Sequence, residues 1–335
     1  LITVTPSEQD WKDAAKKFRR ELLMMPVFAM KDSVKFLTGL PGCRTNQFLG
    51  GVNTEAQVYP YAPNKRGDGS TTITFQELEI FFATMNQDFV PNDYVQTLLG
   101  EHAATLGNAQ SKSEMAKLIL GSIMKQAGEN LSLALFDAVR NGDGNTSKDL
   151  FNGFETIVNK EIAAENISVE NGNLVLLDEG ITAANAVDVL KEIEFGLNPQ
   201  LRRQQRFIYC DPAVVDKYNE AYQLTHPSLP YNTAYEQPYV EGSNHRMTFA
   251  PMDGLAGSDL MIVAPKMNMV YGYDSMSDLE RLEVLRMDVD TFTVAAKMFF
   301  GVQFRTLDKR FLKVIKVKPS TGSGESYLSL TNNAT

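Results

Sequence analysis

The strongest periodicity in the chain runs from residue 112 to 140, where Ile119, Ile123, Ala127, Leu131, Leu135 and Ala138 form one stripe at helical spacing. Ser111 and Glu114 fit a capping box at its start, and Gly142 fits a stop beyond its end. A helix of that length spans roughly 43 Å at about 1.5 Å per residue. Gly121 and Gly128 weaken it locally, so another segment must pack on it closely enough to compensate. A second, shorter amphipathic helix is expected within residues 1–25. Trp11, Ala15, Phe18 and Leu22 share one face, Lys12, Lys16, Lys17, Arg19 and Arg20 occupy the rest, and Pro26 breaks the pattern. Such a basic helix has no core of its own. It docks either on its own domain or on a neighbouring subunit or anionic surface, and periodicity does not choose between these.

Period-two alternation takes over elsewhere. Residues 38–70 are rich in Gly, Pro, Asn and Asp, with one strand expected at 56–61 and a longer one at 71–82. In the second, Ile73 and Phe75 share a phase that Leu78 and Ile80 leave by one residue, as a bulge near Gln76 and Glu77 would produce. Two strands with a polar, Gly-rich tip and no nearby apolar mass predict a projecting hairpin. Residues 160–265 alternate helix and strand: a helix over 182–194, a short buried strand at 206–210, a helix opened by Asp211-Pro212, a Pro- and Tyr-rich loop over 225–242, and a strand at 260–263. From 266 to 318 the pattern is almost purely β. Leu282 and Val284, then Phe292, Val294, Ala296 and Met298, alternate with polar or small residues around a turn at 288–290, and a last strand is expected over 311–317.

Composition narrows the class. With 335 residues, 43% of them hydrophobic and 22% charged, the chain is long enough to bury one elaborate core or two. A formal charge of −9 is opposite in sign to that of most proteins whose main task is gripping nucleic acid. The longest apolar stretch, residues 22–30, falls far short of the ~18 residues of a membrane span.

Reactive residue types are scarce: two Cys, three His and one Trp. Cys43 and Cys210 are too far apart for a metal knuckle and read as reduced, buried thiols. His102, His226 and His245 show no metal-binding spacing. No phosphate-binding loop, dinucleotide fingerprint or nucleophile elbow occurs. The carboxylates Glu192, Glu194, Asp278, Glu280, Asp288 and Asp290 fall on expected exposed faces or turns and read as solubilising charges. Asp143, Asn145, Ser147 and Asp149 alternate like calcium ligands. Lys148, however, stands where the loop's glycine belongs and Phe154 where its bidentate glutamate belongs, so the segment reads as a polar turn. No catalytic residue, cofactor or metal is expected.

The order of these parts (basic arm, projecting hairpin, long helix, compact α/β lobe, return to long strands) resembles the major capsid proteins of tailed bacteriophages, the Hong Kong 97-like fold. The segment NMVYGYDSMSDLERLEVLRMDVDTFTVAAKMFFGVQF, ending at Phe304, resembles that family's closing P-domain hairpin. RFIYCDPAVVDKYNEAY, from Arg206 to Tyr222, resembles its A-domain strand and following helix. The resemblance implies an α+β fold divided as follows: N-terminal arm and linker 1–50, E-loop hairpin 51–86, P domain 87–158 with its spine helix at 112–140, A domain 159–265, P domain again 266–318, and a C-terminal tail 319–335. It implies a structural, non-enzymatic protein that assembles in the host bacterial cytoplasm into pentamers and hexamers of a virion capsid around double-stranded DNA. Implied partners are further copies of itself, portal, scaffolding, prohead protease and decoration proteins, and packaged DNA held non-specifically at the inner surface, with the 12–20 basic cluster near phosphate. Removal of a scaffolding segment by the protease would account for a chain that begins at Leu1.

On this reading Trp11, Phe18, Ile73 and Phe75 are inter-subunit anchors, more exposed in a single subunit than core residues should be, and Lys65 lies at the hairpin tip. Some members crosslink a hairpin Lys to a P-domain Asn. Lys65 and Asn268 are the conceivable pair here, although a solvated turn lysine is the simpler account. Two other functions compete: an encapsulin-like compartment shell that packages a cargo protein, and a cytosolic enzyme with its site in 225–258 near His226 or His245.

Overall fold

The structure is a computed structural model; it describes residues 8–18, 21–22, 25–26, 29–54, 60, 71–90, 112–225, 237–274, 282–288 and 291–318. Its first sheet is built around β11 (Phe292–Phe304). The first part of β11 pairs antiparallel with β10 (Leu282–Arg286) and the last part with β9 (Met269–Asp274), while β4 (Phe81–Phe89) runs antiparallel along the Phe292–Phe300 stretch. β1 (Thr38–Pro41), which follows the short helix α2 (Lys31–Val34), adds to β9 in parallel. The closing hairpin is therefore observed as expected at 282–304.

The second sheet has the order β5 (Leu174–Leu177), β12 (Lys313–Val317), β8 (Met261–Ala264), β6 (Arg206–Cys210), β7 (Met247–Pro251). Its strands alternate between two covered faces. Tyr209, Ile262, Ala264 and Val314 enter one core, and Ile208, Cys210, Met261, Val263 and Ile315 enter another under helices α5 (Ala186–Phe195) and α7 (Pro212–Thr225). A strand buried on both faces needs apolar residues at both parities, which is why these segments read as short unbroken apolar runs. The start of α7 follows from local chemistry: Asp211 Oδ1 accepts the Ala213 N–H at 2.9 Å, and Pro212 opens the helix.

β12 corrects the expected 266–318 unit. Sequence continuity assigns it to the closing β region, but it inserts between β5 and β8 of the second sheet. Val314 and Ile315 are both fully buried on opposite sides, a demand that only a sheet covered on both faces can meet.

The long helix α3 (Lys112–Asp137) spans about 39 Å. Its N-terminal half, through Ala116, Ile119, Leu120 and Met124, meets β10, β11 and α1 (Glu8–Lys17). Its C-terminal half, through Leu131, Ala134, Leu135 and Phe136, meets β11, the second sheet and α4 (Phe154–Ala163). One helix thus joins two cores. The compensation that its glycines require is visible at Gly128, where a Cβ would lie 2.4 Å from the Pro26 carbonyl oxygen. Only glycine lets that segment approach so closely.

Candidate assembly surfaces

An antiparallel hairpin is present in this region, its described first strand lying ahead of residues 56–61. β2 (Gln47–Thr54) pairs antiparallel with β3 (Thr71–Leu78), Gln47 opposite Leu78 and Thr54 opposite Thr71. The strand expected at 56–61 falls almost wholly outside the described residues. Gly50 and Gly51 inside β2 had the look of turn residues. The phase shift in the following strand is a break, not a bulge: β3 ends at Leu78, and β4 begins in the first sheet at Phe81. At the crossing, the Glu79 carbonyl occupies the space beside Gly301, where a Cβ would sit 2.0 Å from it. Asn46 fastens the corner, accepting the Ile80 N–H at 3.0 Å and donating to Glu77 Oε1 at 2.9 Å. Gln303 donates to the Glu77 carbonyl at 2.9 Å.

Residues directly opposite in an antiparallel pair share a face. One face of the hairpin puts Leu49 and Leu78 against Val270. The opposite face presents Phe48, Ile73 and Phe75, which are 71%, 54% and 62% exposed. An exposed apolar face of this kind is unusual on an isolated soluble protein and makes this side of the hairpin a candidate contact surface. The exposure of Ile73 and Phe75 on one face agrees with their alternation in the sequence. Phe48 was missed, although the parity of Phe48, Gly50 and Val52 carries the same signal.

The other anchor candidates behave differently. Trp11 is fully buried, so the expectation of an exposed anchor is corrected: its ring lies 5.1 Å from that of Phe89 and 6.1 Å from that of Phe292. Helix α1 docks on α3 and β10 of its own chain, with Ala14 and Ala15 also buried. Phe18 is half-buried, with the Lys117 ammonium 4.6 Å and the Lys17 ammonium 5.1 Å from its ring. Lys65 lies outside the described residues. Asn268 is buried, its amide donating to the Thr306 and Phe311 carbonyls at 3.0 and 3.1 Å and accepting the Thr306 N–H at 2.9 Å. That commitment leaves it holding the chain around β9 and β11.

A second concave surface lies between β4, α3 and the 140–150 turn, an open groove of about 1290 Å³. Phe82, Met85, Ile123, Leu131 and Met298 contribute apolar lining, and Arg140 sits at its margin with its guanidinium 4.8 Å from the Phe81 ring. The 141–149 segment beside it is a polar turn. The Asp149 carboxylate accepts from the Thr146 hydroxyl and backbone, which holds its pKa below the usual carboxylate range.

Reactive chemistry is sparse in the geometry as well. Cys43 and Cys210 are buried free thiols, and burial pushes both pKa values up, away from nucleophilic thiolate. His226 lies outside the described residues. His245 is exposed on a left-handed backbone position, φ 61°, edge-on to Tyr239 with ring centroids 4.7 Å apart. Among the described residues no group of His, Cys, Asp and Glu is arranged to hold a metal, and no helix is long and apolar enough to cross a membrane. Glu194 departs from expectation. It is 2% exposed and forms a two-pronged ion pair with the fully buried Arg206. Its spacing from Val187 and Leu190 on α5 places it on the buried face, a signal that its charge masked.

No family model and no curated protein matches the chain. Among solved structures, a chain of the satellite phage P4 procapsid, a structure that includes size determination (Sid) protein, superposes with a TM-score of 0.53 at 11% identity. That match covers 88% of this chain and 98% of the other. The capsid of a native GTA particle gives 0.53 at 13% identity, covering 86% and 91%. The capsid of Ralstonia phage GP4 gives 0.50 at 10% identity, covering 88% and 90%. These structures are matched over most of their length, and the chain has the Hong Kong 97-like capsid fold.

Proposed function

We propose that this protein is a major capsid protein, the repeating structural subunit of a tailed-phage head that assembles through pentamers and hexamers around double-stranded DNA. The observation that carries the reading is the pairing of a capsid fold over most of the chain with the exposed apolar face of Phe48, Ile73 and Phe75. A closed shell forms by repeating one heterologous contact, so a subunit needs a projecting surface and a receiving one. In this reading the hairpin projects, and the groove between β4 and α3 of a second copy receives its apolar face. The first sheet with α3 then serves as the P domain and the second sheet with α5 and α7 as the A domain.

The test is assembly. Purified protein, viewed by negative-stain electron microscopy and size-exclusion chromatography with and without a candidate scaffolding protein, is expected to form closed shells or rings of five and six. A monodisperse monomer or dimer under all of these conditions would refute the reading.

A further inference from the structure

We propose that Arg202, Arg203 and Arg246 form a binding site for a phosphate-type oxyanion beside the entry to the second sheet. The site is assembled by topology. Helix α6 (Pro199–Arg203) leads directly into β6, and β6 pairs in parallel with β7, Arg206 opposite Met247. Parallel pairing brings the two strand entries side by side, so arginines some forty residues apart in sequence meet around one pocket of about 230 Å³. Two features fix the turn that delivers Arg246. Gly242, Asn244 and His245 all take left-handed backbone, at φ 82°, 51° and 61°, and the Arg206 N–H donates to the Arg246 carbonyl at 2.9 Å.

The electrostatics single this pocket out. Its lining contains one acid, Glu194, which is buried and already neutralised by the two-pronged contact from Arg206. Glu241, nearby in the turn, is paired with Lys191 at 3.0 Å. Arg202 is held in place, with Nε 3.4 Å from Glu194 Oε1 and the guanidinium 5.4 Å from the Phe195 ring. Arg203 and Arg246 are exposed, and no described residue engages either guanidinium in a hydrogen bond or ion pair. Arg202 and Arg206 share the single carboxylate of Glu194, and Arg203 and Arg246 add two further cations, so the depression carries positive charge in excess that an anion would offset. Guanidinium forks match the tetrahedral oxygens of phosphate, with two N–H donors directed at two oxygens. The class of ligand is therefore a phosphate ester or polyphosphate. A nucleic-acid backbone and a free polyphosphate are the two sources that share this chemistry.

The experiment uses full-length protein at low salt. Isothermal titration calorimetry with inorganic triphosphate is expected to show saturable binding that weakens roughly tenfold or more in Arg203→Gln/Arg246→Gln, since each lost fork removes a charge-assisted contact. Arg246→Lys, which keeps the charge and loses the fork, should fall between the two. Circular dichroism checks that the exposed substitutions leave the fold intact. Equal triphosphate affinity in the parent and the double variant, or no binding by the parent, overturns the proposal. A competition arm with short duplex DNA identifies the source. Displacement of triphosphate assigns the site to nucleic-acid backbone, and failure to displace assigns it to free polyphosphate.

Discussion

The second sheet and the β2–β3 hairpin use the same alternation of side chains and end in opposite states. In the sheet, both parities of β6, β8 and β12 meet a core. In the hairpin, one parity meets Val270 and the other presents Phe48, Ile73 and Phe75 to solvent. The sheet is completed by its own chain. The hairpin carries apolar surface that no described residue covers. Stability and assembly should therefore separate, with substitutions in the sheet lobe unfolding the subunit and substitutions on the outer hairpin face sparing it.

The largest expected effect on subunit stability is at the buried ion pair. Arg206→Met takes the two-pronged partner from buried Glu194, leaving it only the 3.4 Å contact from Arg202, and also removes donors to the Leu201, Arg202 and Gln204 carbonyls. The cost should be about 3–5 kcal/mol in urea denaturation, because stranding one partner of a buried pair exceeds the pair's net worth. Glu194→Leu/Arg206→Met should recover most of the loss. If the single variant unfolds at the parental midpoint, the lobe interior is wetter than its geometry implies.

A smaller effect is expected at the junction of the two regions. Gly301→Ala sets a methyl against the Glu79 carbonyl, which is backbone and has to move. About 1–3 kcal/mol is expected from such crowding. Hydrogen exchange should localise the disturbance to β2, β3 and the start of β4, with the second sheet unaffected. Uniform exchange changes across both regions would deny that the hairpin is a separable unit.

What could be read from the sequence follows the same division. Elements stated by local chemistry were legible: β6 by its apolar run, α7 by Asp211-Pro212, and the β10–β11 hairpin by its alternation. Elements that exist through distant pairing were not. β2 contains Gly50 and Gly51 and is a strand because β3 holds it, and β12 joins the sheet of β5 and β8 rather than its sequence neighbours. Of the surface candidates, Ile73 and Phe75 were legible because alternation marks a face even when nothing covers it. Trp11 was misjudged because amphipathic periodicity states that a face is covered without saying by which chain. Arginines brought together by parallel strand entry leave no local signature.

Alkaline pH should disturb the lobe core in proportion to its dryness. Desolvation pushes the Tyr218 hydroxyl from 10.0 up to about 12, and burial raises Tyr209 as well. The raised acid keeps its proton in the folded state while the unfolded chain releases it. Its contribution to stability is therefore complete below pH 10 and is lost as pH climbs through 10 toward about 12. Tyr218→Phe removes that part of the decline. It also strands the Glu241 N–H, which donates to the Tyr218 hydroxyl at 2.9 Å, at a cost of about 1 kcal/mol near neutral pH. Denaturation at pH values from neutral to alkaline should show the variant less stable at the start and less sensitive at the end. Parallel curves would mean that water already reaches the ring.

The smallest effect on subunit stability is expected on the hairpin's outer face, where the comparison is sharpest. Phe48 and Phe75 are both more than half exposed and make little of the lobe's cohesion. Phe48→Ser/Phe75→Ser should therefore stay within about 0.5 kcal/mol of the parent, as surface substitutions do. Their rings nevertheless supply most of the apolar area that the face offers a partner, and aromatic anchors dominate contact energies. The double variant should unfold like the parent and fail to form closed particles in sedimentation and microscopy. A destabilised variant would place these rings in a core that the exposed geometry does not contain. Normal particles from the double variant would move the assembly contact off this face.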